Sequence, residues 1–468
     1  MSKEAAPKRP NILFILTDHF RRDSVNPNET PFIRSLAKEG ILFTDAYCAS
    51  PLCMPSRNAI VSGLYPSQTG VCGNQAEPFG EALRHDTFPS QLQEAGYRTA
   101  MIGKHHYIDR YGVGIDVVAE DQTTIEDYGY DHVCQVLDDG ENLKNDDVYT
   151  RHLDKKGLLG AFREKLAGFD DTDMIHPLED ESDTVDGFIR DRAVEYLEGL
   201  EGSQSFYLNV SFVGPHPPYW YPSAREKYRP EDMAEGVADD PSAREQTAFL
   251  RAAYRNRCSV LDGYVRELVG TLKRNGLYDN TLIVFSSDHG DMLGEFGIWD
   301  KRYFYEASVG VPLIFGGGAV RGDDRGNRGI VDRSLVSHLD LYPTFLSLAG
   351  AEPSLRSPLV GDRAGVDISG RLEGGGRPRR RAVFSELATA VMVRTANWKL
   401  VYDSQCGGVQ YLFNLSVDPK EENNLANEPT YDGVALRLVS AILNERIRLS
   451  QYSHLKEEQR MMRVRVDS

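Results

Sequence analysis

Four apolar runs in this chain each end in a cluster of polar, chemistry-bearing residues, always on the C-terminal side. Residues 12–16 lead into Thr17-Asp18-His19, and residues 99–102 into Gly103-Lys104-His105-His106. Residues 206–212 lead into Gly214-Pro215-His216, and residues 281–286 into Ser287-Asp288-His289-Gly290. Short continuous apolar runs set between amphipathic stretches read as strands buried on both faces, and therefore as a parallel sheet covered by helices. Open sheets of this kind bind ligands outside the carboxyl ends of their strands. Any one cluster could simply turn a loop, as Asp and Gly often do. Four clusters in the same relation to four strands are expected to meet at one place.

The rest of the chain fits that α/β plan. Thr30-Pro31 opens a helix that Gly40 closes, and residues 41–43 return to strand. Residues 311–315 read as a further strand and residues 248–274 as a long helix. The segment 109–183 is polar and acid-rich, and is expected to be an insertion lining a pocket. Gly374-Gly375-Gly376-Arg377-Pro378 reads as a linker. Beyond it, residues 382–412 suggest a small antiparallel sheet and 434–448 a closing helix. The expected organisation is a large domain over 1–376 and a small C-terminal domain with a tail over 377–468. The charged tail from Ser450 suits either an arm for a partner subunit in a homo-oligomer or a frayed end.

Cys53-Met54-Pro55-Ser56-Arg57 places a lone thiol where a helix is about to begin. Pro55 suits a first helical turn, and Ala59, Ile60, Val61 and Leu64 recur with helical spacing. A side chain there meets free backbone N–H groups and the positive end of the helix dipole, and Arg57 adds a full charge one turn away. That is a seat for an anion, and a thiol in it reads as an activated nucleophile. Asp18, Asp288 and His289, from two strand ends, have the makings of a divalent metal site that prefers oxygen but tolerates nitrogen.

A net charge of -17 excludes nucleic acid and anionic membrane surfaces as main partners, and an anionic substrate must be captured by local positive charge. No apolar run is long enough to span a bilayer. Residues 1–10 are polar and lysine-bearing, without a secretory apolar region, so a cytoplasmic protein is expected. The six cysteines form no CxxC pair, and a reduced chain is the default.

The pattern Cys-x-Pro-Ser-Arg at Cys53 resembles the signature of the type I sulfatases of the alkaline phosphatase superfamily. Other blocks resemble that family in its order: residues 11–18, Gly103-Lys104-x-His106, Pro215-His216-x-Pro218, Ser287-Asp288-His289-Gly290 and Trp299-Asp300-Lys301 followed by Glu306. Tyr411-Leu412-Phe413-Asn414 with Asp418-Pro419 and Glu422-Asn423-Asn424-Leu425 resembles its small terminal domain. The resemblance implies an alkaline phosphatase-like fold, with a large, mostly parallel sheet sandwiched by helices and a small domain built on an antiparallel sheet and a helix.

It also implies that a maturation enzyme oxidises Cys53 to formylglycine, whose hydrate attacks the sulfur of a sulfate monoester. Asp18, Asp288 and His289 would hold one divalent metal, usually calcium, together with the modified Cys53. Where many sulfatases carry a second aspartate, this chain has His19. An imidazole there either joins the ligands, making manganese or another transition metal more plausible, or stands behind them as a donor. By the same resemblance Arg57 steadies the nucleophile, Lys104 and Lys301 bind sulfate oxygens, His106 takes a proton, and His216, alone or with help from Lys301, protonates the leaving oxygen. Asn74 is a further substrate contact, while His105 and the pair His338 and Asp340 read as structural. The aromatic run 219–221 suits stacking on a sugar ring, caging of a quaternary ammonium, or plain packing of a pocket wall. Ser50-Pro51-Leu52-Cys53 resembles choline sulfatases locally. The expected substrate is a sulfated carbohydrate or small organic sulfate. The alternatives are a phosphonate monoester or phosphodiester hydrolase and a non-catalytic binding protein that keeps Cys53 as a thiol.

Overall fold

A computed structural model of the chain describes residues 9–74, 80–108, 113–321, 328–351, 363–376 and 380–450. Residues 1–8 of the N-terminal stretch, the start of the expected insertion at 109–112, Arg377 and Pro378 of the expected linker, and the tail beyond Ser450 lie outside them.

Eight strands form one sheet: β1 (Asn11–Thr17), β2 (Ile41–Tyr47), β3 (Arg98–Gly103), β4 (His132–Gln135), β5 (Phe206–Ser211), β6 (Thr281–Ser287), β7 (Leu313–Gly316) and β8 (Ile330–Ser337). Their order is β4-β3-β5-β1-β6-β7-β2-β8, and only β7 runs antiparallel to its neighbours. The side-chain period of two explains why β1 reads as unbroken apolar sequence. Leu13 and Ile15 pack into the core on one face, while Ile12, Phe14 and Leu16 pack into the core on the other. Helix α1 (Cys53–Ser62) and helix α2 (Leu341–Leu348) cover the second face; α3 (Val185–Glu198) and the long α4 (Arg244–Arg274) cover the first.

Two sheet members are absent from the sequence-derived strands. β4 arises inside the segment expected to be an insertion and pairs with β3, so this part of the segment extends the sheet edge. β8 pairs with β2 at the opposite edge. The expected helix after Thr30 is α-helical only over Pro31–Leu36 and tightens to a 3-10 turn over Ala37–Glu39.

A second sheet, β9 (Ala382–Leu387), β10 (Ala390–Thr395), β11 (Trp398–Asp403) and β12 (Gly408–Asn414), is wholly antiparallel. It packs with helix α5 (Asp432–Ser450) around Val393, Leu400, Leu412, Leu438 and Ile442. All six cysteines are free. Among the described residues, no helix is long and apolar enough to cross a membrane.

Candidate active site

The four strand-end clusters and the start of α1 meet at the carboxyl edge of the large sheet. Gly103 makes one of these exits workable: at φ 112° it turns the chain from β3 toward Lys104, and a Cβ on it would fall 1.9 Å from the carbonyl oxygen of Ser211. At the start of α1, Leu52 is extended, Cys53 begins the helix, and the amide oxygen of Asn74 accepts from the Met54 N–H at 3.1 Å. The helix ends at Gly63 in the left-handed conformation.

Cys53 is buried, with Sγ 3.6 Å from Asp18 Oδ1 and 3.2 Å from His289 Nε2. Burial pushes its thiol up, but Lys301, His289, Lys104 and a hydrogen bond from His106 together bring it well below the usual thiol value. Ligand atoms of Asp18, His19, Cys53 and His289 all lie within 4.8 Å of one another, and all four residues are buried. A carboxylate and two imidazoles facing one point fit a divalent cation. Asp288 stands just behind this group. Its Oδ2 accepts from Arg57 Nε at 2.7 Å and its Oδ1 from the His289 N–H at 2.9 Å, with Oδ1 3.6 Å from His289 Nε2.

Arg57 is committed to holding this wall together. Besides Asp288 it donates to the Lys104 carbonyl at 2.6 Å and Ser211 Oγ at 2.9 Å, and it lies 3.4 Å from Asp18 Oδ2. Burial and Cys53 would raise Asp18, but Lys104, His216 and Arg57 hold it well below the ordinary carboxylate range.

Two lysines face the same space. Lys104 Nζ is 2.7 Å from Asp18 Oδ2 and 3.0 Å from Asp138 Oδ2. Lys301 Nζ is 2.6 Å from His19 Nε2 and 3.2 Å from His216 Nε2. His216 turns its other nitrogen, Nδ1, to the Pro217 carbonyl at 2.7 Å. Burial, Lys301 and Lys104 push His216 well below the usual imidazole value. Asn74, His106 and His216 are only partly buried and Asp300 is 48% exposed, so these four mark the mouth.

His105 sits apart, accepting from the Tyr107 N–H, and burial pushes it down to about 3. His338 is buried against Ser56 and Ser286 behind α1. In the aromatic run Tyr219, Trp220 and Tyr221 are all buried, and Trp220 packs against Phe162, Phe169 and His176 as part of the wall. Sequence reasoning does not single out two acids of this site, Asp138 and Asp291. Asp138 pairs with Lys104 from the segment after β4. Asp291 accepts from His19 Nδ1 at 2.9 Å, and the Tyr219 hydroxyl donates to the same Asp291 oxygen at 2.9 Å. Asp291 lies only two residues past His289, next to the Ser287–Gly290 block.

A family model described as Sulfatase matches residues 10–351. The chain belongs to the sulfatase family. Among curated sulfatases, the choline-sulfatase of Rhizobium meliloti is 30% identical over 463 residues, covering 90% of this chain and 83% of that protein. The arylsulfatase of Clostridium perfringens is 27% identical, covering 90% of this chain and 91% of its own. Among solved structures, the phosphonate monoester hydrolase of Agrobacterium radiobacter shares the fold with a TM-score of 0.77 at 22% identity, over 94% of this chain and 96% of that one. This sulfatase therefore has the alkaline phosphatase-like architecture, with its donor cluster at the carboxyl edge of the sheet.

Proposed function

We propose that this sulfatase hydrolyses a sulfate monoester of a small organic alcohol or saccharide at residue 53, after a maturation enzyme has converted Cys53 to formylglycine. The observation that carries the reading is the convergence of Lys104, Lys301 and Arg57 on one buried pocket around Cys53, in a chain whose net charge is -17. Such a pocket is built for a small anion that the rest of the surface repels.

Asp18, His19, Asp288 and His289 would hold one divalent cation, which lowers the pKa of an oxygen bound to it and offsets charge on the ester. Formylglycine, hydrated at its carbonyl, supplies one hydroxyl to attack sulfur and a second whose deprotonation lets sulfate leave. The chain's own groups do the rest. Lys104 and Lys301 bind the sulfate oxygens as point charges. Arg57 acts through the carboxylates it anchors. His106, at the mouth beside Cys53, takes the proton released from the nucleophile.

The leaving oxygen draws its proton from Lys301. An ammonium can only donate, so the Nε2 that His216 turns to Lys301 is an acceptor, and its Nδ1–H is spent on Pro217. His216 therefore acts on that transfer by steering Lys301, its Nε2 lone pair holding the ammonium in place. Net, the ester and one water become an alcohol and hydrogen sulfate.

A phosphonate monoester or phosphodiester is the second reading, favoured by the likeness of fold to a phosphonate monoester hydrolase. Mass spectrometry of the Cys53 peptide from the native host tests the first reading, with an aldehyde or its hydrate expected in place of the thiol. Rates on aryl sulfates and aryl phosphonate monoesters rank the two substrates, and faster phosphonate turnover would put the second reading first.

A further inference from the structure

His19 is held more firmly than a loop residue requires. It has φ 65°, a conformation that costs a non-glycine residue energy unless its surroundings impose it. The Tyr254 hydroxyl imposes it, donating to the His19 carbonyl at 2.8 Å and accepting from the Arg21 N–H at 2.8 Å. The ring is fixed as well. The rings of His216 and His289 stand edge-on to it, each with a centroid separation of 4.5 Å. Asp291 lies on Nδ1 and Lys301 on Nε2.

Those last two partners specify a single tautomer. A carboxylate only accepts, so Nδ1 carries the hydrogen; an ammonium only donates, so Nε2 offers its lone pair. That lone pair faces the pocket shared by Asp18, Cys53 and His289. Lys301 has His216 at 3.2 Å and Asp300 at 3.8 Å as other partners, so Nε2 can be given to a cation without stranding the ammonium. Asp291 is itself fixed, with Oδ1 accepting from the Leu293 N–H at 2.9 Å and Oδ2 from Tyr219 and His19.

We propose that Asp291 and Tyr219 are positioning residues that lock His19 in the Nδ1–H tautomer, so that the centre presents two imidazole lone pairs and selects a first-row transition ion such as Mn2+ over Ca2+. This rests on the proposed function's reading of Asp18, His19, Asp288 and His289, around residue 53, as the ion's ligands. Calcium takes oxygen donors, whereas a mixed set of imidazole and carboxylate suits transition ions. A carboxylate behind a ligating imidazole fixes its tautomer and raises its basicity.

Asp291→Asn tests the lock directly. The Leu293 N–H keeps the amide oxygen on its own side, so the NH2 falls against His19 Nδ1 and drives the hydrogen to Nε2. Protein stripped by chelator, all variants in the same state at residue 53, is titrated with Mn2+ by loss of the free-ion EPR signal and with Ca2+ by calorimetry. The parent is expected to bind Mn2+ at least about tenfold more tightly than Ca2+, and Asp291→Asn to cut that ratio about tenfold or more. Tyr219→Phe is expected to cut the ratio by less, and His19→Asp to turn the preference toward Ca2+. Equal affinity for the two ions in the parent, or an Asp291→Asn protein with an unchanged ratio, overturns the proposal. If Asp291→Asn does not fold, Tyr219→Phe decides, and an unchanged ratio again overturns it. None of these readouts needs turnover. A missing sulfatase activity would thus count against the proposed function and leave the metal preference to its own result.

Discussion

The chain buries two dense clusters of acids and bases, and they are built on opposite principles. One is the pocket around Cys53. The other lies where the loop after Lys301 meets the small sheet. There Lys399, wholly buried on β11, has its Nζ 2.9 Å from the Phe304 carbonyl, 2.8 Å from Glu306 Oε1 and 2.6 Å from Glu421 Oε1. Glu306 also accepts from Arg22 at 2.5 Å and from the Tyr47 hydroxyl at 3.1 Å, and Arg394 donates to that hydroxyl at 2.9 Å. In this knot the charges answer one another. In the pocket, Cys53, Asp18, His19 and His289 aim donor atoms at a common point, and His19, His106 and Asp300 adopt positive φ. Burial and charge density are alike in the two places. Costly backbone occurs in both places, since Glu421 of the knot has φ 61°, so function is marked by donors aimed at a shared space.

The largest effect that would test this contrast is at the nucleophile. Cys53→Ser should fold with an unchanged melting temperature yet lose steady-state turnover by about 10^4-fold or more, because an esterified serine has no carbonyl to release sulfate. Turnover near that of the parent would remove the aldehyde from the mechanism.

The two buried lysines then separate the clusters. Lys399→Met strands two carboxylates and should cost about 3–5 kcal/mol in denaturant unfolding. Lys301→Met leaves two imidazoles beside it, so its stability should stay within about 1 kcal/mol of the parent. Its kcat, however, should fall by about 10^2–10^3-fold. Equal losses of stability in the two variants would erase the distinction.

A third test concerns a buried acid outside both clusters. Asp139 is 1% exposed, neither of its side-chain oxygens has a hydrogen-bond partner, and burial raises it to about 7. A folded-state pKa above the unfolded one gives stability that is fully present below the unfolded value and is lost as pH rises through the folded one. Between pH 5 and pH 8 the parent should therefore lose about 3 kcal/mol that Asp139→Asn does not lose. Parallel stability profiles for the two proteins would refute this.

The smallest effect belongs to Asn74. If its amide oxygen mainly caps the Met54 N–H, Asn74→Ala should cost about 1 kcal/mol of stability with little change in KM. A large rise in KM would return it to the substrate contacts.

What sequence makes legible follows from where apolar patterning is strong. Strands β1, β5 and β6 are central and buried on both faces, so their runs and the polar clusters after them stand out. The edges are silent for a physical reason. β4 has only four residues, beginning with the exposed His132, and β8 alternates exposed positions with the buried Asp332, which Arg371 neutralises at 2.8 Å. Neither carries a continuous apolar run. In the pocket, the meeting of Asp18, Cys53, Lys104, His289 and Lys301 can be inferred from strand ends and motifs. Asp138 and the Tyr219–Asp291 pair cannot, because each acts across a tertiary contact with no local periodicity. The aromatic run 219–221 carries an ambiguous signal, because packing and ligand contact call for the same residue types.

The depth of Cys53 also sets a clock. In the folded protein its side chain is 1% exposed and every residue of its helix is buried. Any protein that alters this side chain must therefore meet it as extended chain, while β6, the Lys301 loop and Lys399 are still to be synthesised or docked. On the proposed function, how fast the remainder of the polypeptide closes over residue 53 would then govern what fraction of molecules carries the aldehyde.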